Sequence, residues 1–335
     1  MMPDEFYKLQ TAVLDFIETG EGTFEEHARE IHTYQFRENA PYQRYCKTRG
    51  VTAEVSSWTQ IPAVPQEAFK ASRLATFSEE KSIREFRTSG TTGEGYGSHF
   101  FRDLTLYEAA IDAGWKTLGL DHLPKLVLTP SPIESPHSSL SYMMEHLADR
   151  FYIRGGHLEE SNLREDVAAV SGPVLLLGTA LAFFNLMEKS PSGLTLPRGS
   201  RVLETGGYKG SGRSLLKEDF YTQLSQYFEI EVDAIVNEYG MTELSSQFYT
   251  EGLGKAHQGG RWIRHRVVHP LHGEEVAIGE PGILQLFDLA NIGSVLAIQT
   301  EDLAVRDATG FFLLGRDPAA LARGCSRSAD DLLNR

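Results

Sequence analysis

The chain has 335 residues, 41% of them apolar and 23% charged, which is the balance of a globular protein with a sizeable core. Its 32 Lys and Arg against 46 Asp and Glu leave a net charge of −14. That field repels phosphate backbones and argues against a broad nucleic-acid surface, though not against a local pocket for one nucleotide. Two cysteines, Cys46 and Cys325, are too few for a disulfide framework. No apolar run approaches the roughly 20 residues of a membrane span, and the polar, acidic start is unlike a signal peptide. A reducing cytoplasm is the compartment expected.

In chain order, residues 4–38 read as helices, with Phe6, Leu9, Val13 and Phe16 at helical spacing. Pro41, Pro62 and Pro65 then read as breaks into turns. Residues 81–101 read as strand, glycine-rich loop and strand, and Asp103 is placed to cap a helix running to about Leu118. Lys125–Thr129 reads as a buried strand, followed by a Pro-Ser loop and a helix over 140–149. The grammar repeats with strands at 174–177, 201–204 and 233–237 and helices at 180–189 and 215–228. Alternating strands and helices predict an α/β sheet flanked by helices. From about residue 250 the pattern is β-rich. The expected organisation is an N-terminal helical region (1–80), an α/β nucleotide-binding core (81–249), a β-rich subdomain (250–316) and a short tail (317–335).

Four segments carry candidate chemistry. Thr88, Ser89, Gly90, Thr91, Thr92 and Gly93 combine hydroxyl donors with glycines that let backbone N–H groups converge on phosphate. This is not a Walker A loop, since no Gly-Lys-Ser/Thr follows; a polar turn is the bland alternative. Asn237-Glu238-Tyr239-Gly240-Met241-Thr242-Glu243 follows a predicted strand, and strand ends are where open α/β sheets bind ligands. There an aromatic ring can stack on a base, a threonine can bond a phosphate and a carboxylate can hold Mg²⁺. Asp302 ends another predicted strand and is suited to accept both ribose hydroxyls, and Arg316 offers a guanidinium. Singly, each is also an ordinary turn.

All four occur in the order and rough separation of the adenylate-forming superfamily, and further stretches narrow the match. Ile61–Pro65 with Phe69-Lys70, Phe86–Gly93, Glu204–Lys209, Asn237–Glu243, Trp262–Pro270 and Arg323–Ser326 resemble the LuxE family of acyl-protein synthetases, from about residue 60 to the C-terminus. The resemblance implies the large domain of an adenylate-forming enzyme, without the full C-terminal lid domain. It implies ATP and Mg²⁺ as cofactors and activation of a carboxylic acid, fatty by family default, to an acyl-adenylate. By the same resemblance Thr88–Gly93 holds phosphates, Tyr239 stacks on adenine next to Gly240, and Thr242 binds the α-phosphate. Glu243 serves Mg²⁺, Asp302 and Arg316 hold the ribose, and Gly206 and Gly207 line the adenine or acyl pocket with backbone.

Two departures matter. The lysine that often follows the loop is absent from Glu94-Gly95-Tyr96-Gly97, with Lys209 or Arg102 as candidate replacements. The chain is also short, which favours an acyl-protein synthetase over a self-sufficient acyl-CoA ligase. Cys325 lies where the bioluminescence enzymes carry an acyl-accepting cysteine, and the arginines around it favour a thiolate; a small residue packing a terminal turn is the alternative. Cys46 reads as structural. The spacing of His257, His265, His269 and His272 fits no common zinc pattern. His137 can face an acyl pocket or water. The acyl acceptor is Cys325, a partner reductase or carrier protein, or coenzyme A. A non-catalytic binding partner is the remaining alternative.

Overall fold

The computed structural model describes residues 4–88, 95–148, 150–206 and 216–316. Its first helix, Glu5–Glu18, starts where the Asp4 carboxylate accepts from Phe6 N–H at 3.1 Å. Phe6, Leu9, Val13 and Phe16 lie on its buried face. The second, Phe24–Glu38, is capped by Thr23, whose hydroxyl accepts from Glu26 N–H and donates to the Glu26 carboxylate. Pro41 does not open a turn. It sits in the first turn of a third helix, Ala40–Thr48, capped by Asn39. A proline there loses no hydrogen bond, because first-turn N–H groups have no intrahelical acceptor.

The chain divides into two units that are not contiguous in sequence. One comprises residues 1–114, 241–246 and 256–335, the other 115–240 and 247–255. In the first unit the long strand Ala297–Arg306 organises a five-stranded sheet. It pairs antiparallel with Pro281–Asp288, which pairs in turn with Ile263–Val268. Its other edge takes Val64–Pro65 in parallel and then Phe311–Arg316 antiparallel. The strands Arg84–Arg87 and Ser98–Phe101 form a separate antiparallel pair.

The second unit is built on parallel strands. Arg150–Arg154, Lys125–Pro130, Leu175–Thr179, Arg201–Thr205 and Ile235–Tyr239 lie side by side in that order. Phe248–Glu251 adds an antiparallel edge beside Ile235–Tyr239. Parallel strands buried on both faces read as near-continuous apolar runs, and Leu175, Leu176 and Leu177 are fully buried. The helices Glu160–Ala169, Ala180–Lys189 and Lys217–Phe228 pack Leu163, Phe183 and Phe220 against Leu126, Leu176, Val202 and Ile235 on one face.

A buried polar clamp holds the segment 241–246 in the first unit. The Asp288 carboxylate accepts from Ser245 N–H at 2.9 Å, Ser246 Oγ at 2.7 Å and Ala290 N–H at 3.0 Å. Trp262 Nε1 donates to Ser246 Oγ, and Ser245 Oγ donates to Asn291 Oδ1. Gln35 and Asn39, from the N-terminal helical region, bond Asn291 O, Leu296 N–H and Ser294 O, fixing the turn that carries Asn291. Removing the Asp288 carboxylate would orphan three buried donors at once. Asp288→Ala is therefore expected to lower the unfolding free energy by about 2–4 kcal/mol, measured by urea denaturation.

Candidate active site

The phosphate-loop candidate is the connection between Arg84–Arg87 and Ser98–Phe101, the strand-loop-strand order expected. Thr88 lies at its neck: its N–H donates to Gly97 O at 2.9 Å, and its hydroxyl accepts from Gly97 N–H at 2.9 Å. A Cβ on Gly97 would fall 3.1 Å from Thr88 Cγ2, so the close approach favours glycine there. Ser89, Gly90, Thr91, Thr92 and Gly93 lie outside the described residues. Arg102, a candidate for the missing loop lysine, is already engaged. It pairs with Asp4, and its guanidinium lies 4.9 Å from the ring centroids of both Phe6 and Tyr7. Lys209 is outside the described residues.

Tyr239 is the last residue of Ile235–Tyr239, at the carboxyl end of a parallel strand, and is half-buried. Gly240 follows; a Cβ there would lie 2.3 Å from Glu238 Oε1. In the first unit, Thr242 and Glu243 are fixed through their backbones. His99 Nδ1 donates to Thr242 O at 2.9 Å, and Asn291 Nδ2 donates to Glu243 O at 2.9 Å. Both bonds are to backbone carbonyls, and Glu243 is buried at 5% exposure. Burial lowers the proton affinity of His99 to about 4, so its ring is neutral and its Nδ1–H is committed to the carbonyl.

Asp302 and Arg316 are direct cross-strand partners, so the pair expected at the ribose shares one register position. Gly206 follows Arg201–Thr205 with φ of +73°, a conformation suited to glycine. Gly207 and Cys325 lie outside the described residues. Cys46 is fully buried beside Tyr42, and burial pushes its thiol up to about 12, the behaviour of a structural cysteine. His257 stacks on Phe311, His269 and His272 stack on each other, and His137 is exposed. Among the described residues no group of three or more His, Cys, Asp or Glu could hold a metal.

Two buried carboxylates were not singled out by sequence reading. Glu204 and Glu238 occupy penultimate positions of adjacent parallel strands, Arg201–Thr205 and Ile235–Tyr239. Glu204 pairs in register with Asn237, and Thr205 with Glu238. Because side chains alternate along a strand, the two carboxylates face opposite sides of the sheet. Glu204 accepts from Tyr221 OH at 2.9 Å and Asn237 Nδ2 at 2.6 Å, while Lys217 Nζ donates to Asn237 Oδ1 at 3.3 Å. Glu238 accepts from the Thr205 hydroxyl. Their signal in the sequence was a carboxylate near the end of each of two apolar strands.

No family model matches the chain. It is 25% identical over 303 residues to the long-chain-fatty-acid–luciferin-component ligase of Aliivibrio fischeri, covering 83% of this chain and 77% of that protein. It is 22% identical over 325 residues to the protein of the same name from Vibrio harveyi, covering 89% and 84%. The chain is thus similar, over most of its length, to these LuxE-type ligases. A 2-hydroxyisobutyryl-CoA ligase in complex with 2-HIB-AMP and CoA superposes with a TM-score of 0.63 at 13% identity, over 86% of this chain and 73% of that one. ATP-bound MatB from Rhodopseudomonas palustris gives a TM-score of 0.50 at 16% identity, over 72% of this chain. The chain spans about half the length of MatB, 49%. These likenesses give the fold, a mixed α/β architecture shared with those structures.

Burial pushes both Glu204 and Glu238 up to about 7, only partly opposed by the hydrogen bonds they accept. A carboxyl group whose folded-state proton affinity is raised contributes stability that is full below its unfolded value and is lost as pH rises through the folded one. Stability to urea is therefore expected to fall between about pH 5 and about pH 8. The double variant Glu204→Gln/Glu238→Gln is expected to flatten that fall.

Proposed function

We propose that this chain activates a carboxylic acid with ATP as an acyl-adenylate and passes the acyl group to a thiol. The observation that carries this reading is the Tyr239–Glu243 motif, which begins at the carboxyl end of a parallel strand and has its Thr242 and Glu243 backbones pinned by His99 and Asn291. Both curated relatives are ligases of a long-chain fatty acid by name, which supports the same reaction class.

The chemistry assigns each group a task. The Tyr239 ring, at the end of its strand, stacks on adenine. Asp302 accepts from the ribose hydroxyls, with Arg316 across the strand pair as its assistant. The loop 88–93 donates backbone and hydroxyl hydrogens to the outer phosphates. A carboxylate oxygen of the acid attacks the α-phosphorus in line. The bond to the bridging oxygen breaks, pyrophosphate leaves with the electron pair, and Thr242 steadies the α-phosphate oxygen. Positioning and charge neutralisation supply most of the rate.

Glu243 is the residue that would hold Mg²⁺. A single carboxylate fits, because Mg²⁺ is commonly held by one or two carboxylates, with substrate phosphates and water completing the shell. When bound, the ion neutralises phosphate charge. The acyl-adenylate is a mixed anhydride. The Cys325 thiolate attacks its carbonyl carbon, AMP departs, and a thioester forms; a reductase, a carrier protein or coenzyme A is the onward acceptor.

Carboxylate-dependent exchange of labelled pyrophosphate into ATP is the expected activity. Measurable ATP binding with no exchange for any acid would overturn the reading. Glu243→Gln is expected to lower the exchange rate by about tenfold or more; an unchanged rate removes Glu243 from the site. Cys325→Ser is expected to keep exchange but lose the covalent acyl-protein seen by intact-mass measurement. Continued acylation of the serine variant would assign the acceptor elsewhere.

A further inference from the structure

The second unit carries a polar row across the carboxyl ends of its strands. Thr179 pairs with Thr205, Thr205 with Glu238 and Glu238 with Tyr249. Thr129 extends the row, one residue beyond the Leu128–Gly178 pair. Residues in one register row share a face of the sheet, and five strands at about 4.8 Å spacing carry the row across roughly 19 Å. The matching row two residues back is apolar and fully buried: Val127, Leu177, Leu203 and Val236. The polar row thus lies at the end of an apolar floor.

Among the described residues its acceptors are incompletely used. Glu238 is 5% exposed, and one oxygen, Oε2, accepts from Thr205. Its other oxygen, Oε1, lies over Gly240, where a Cβ would come within 2.3 Å of it and within 3.5 Å of Gln247 Cγ. Glu238 and Gln247 therefore converge on the space above that glycine. Gln247 Oε1 is buried with no hydrogen-bond partner among the described residues, and so is Thr129 Oγ1; these residues are 7% and 2% exposed. Buried polar groups are normally satisfied, and an exception calls for a partner. Tyr239, the next residue along the strand, projects to the opposite face. The group that meets Glu238 is then not the base that stacks on Tyr239.

We propose that the acid taken by this chain carries a hydrogen-bond donor, a hydroxyl or amino group, received by Glu238 with Gln247 Oε1 beside it, and that an unsubstituted fatty acid is a poor substrate. This rests on the acyl-activating reading above. Above about pH 7, the raised value of Glu238, its carboxylate is ionised, and an ionised carboxylate and an amide oxygen can only accept. An alkyl chain laid against them leaves both unpaired, the situation in which a site strongly rejects the analogue lacking the donor.

The test is calorimetric binding of matched acids to the full chain: decanoate against its hydroxy and amino derivatives, and benzoate against hydroxybenzoates and aminobenzoates. At least one donor-bearing acid is expected to bind about tenfold tighter, or more, than its unsubstituted parent. Glu238→Gln is expected to cut the preference for the amino derivatives to within about threefold. Gln247→Leu, which leaves Glu238 in place, is expected to weaken the same preference. Equal or tighter binding of the unsubstituted acids, no binding of any donor-bearing acid, or an undiminished preference in both variants overturns the proposal. Pyrophosphate exchange is measured separately. Selective binding without exchange supports the donor assignment and overturns acyl activation instead.

Discussion

The candidate site depends on one buried acceptor. Asp288 has no exposed surface, and burial raises its proton affinity to about 6, yet three donors from the segments 245–246 and 290 converge on it. Such a carboxylate is costly unless every bond is made. That cost gives the segment after Gly240 a defined path, because any other course strands Ser245, Ser246 and Ala290 without an acceptor. Thr242 and Glu243 lie immediately upstream. Their carbonyls are taken by His99 and Asn291, which fixes the backbone from which their side chains project.

The second unit solves a different problem with the same chemistry. Parallel strands end in apolar residues until their last turn, where Glu204, Thr205, Asn237 and Glu238 replace them. One row faces the helix Lys217–Phe228 and is satisfied by Tyr221, Asn237 and Lys217. Beside the adjacent row, Thr129 Oγ1 and Gln247 Oε1 have no hydrogen-bond partner among the described residues. A sheet that closes its polar groups on one face and leaves them open on the other has a structural side and a recognition side. Under the proposal above, Thr205 and Glu238 belong to the recognition side.

Much of this was legible in the sequence. The helical spacing of Phe6, Leu9, Val13 and Phe16 marks a face that is buried. Apolar runs near residues 125, 175, 201 and 235 mark parallel strands, and the Tyr-Gly-x-Thr-Glu string follows one of them as its spacing implies. Pro41 misled, because a proline reads as a break whether it ends a helix or opens one; the Asn39 cap decides between the two. His99, Asp288 and Asn291 gave no warning. Each acts on a residue some 40 to 140 positions away in the chain, and nothing local distinguishes a histidine that holds a distant carbonyl from one on a surface.

The sequence by itself pointed to the reaction class, because the groups proposed to handle phosphate, base and metal lie in short strings whose composition suits that chemistry. It also determined the element types, because burial imposes a period on each element. Only the tertiary structure decided which face each carboxylate meets and which acceptors remain unpaired. Register sets both, and register is a relation between strands that no single segment encodes. Glu238 is one residue from Tyr239 in the chain, yet the alternation of the strand puts the two on opposite sides of the sheet.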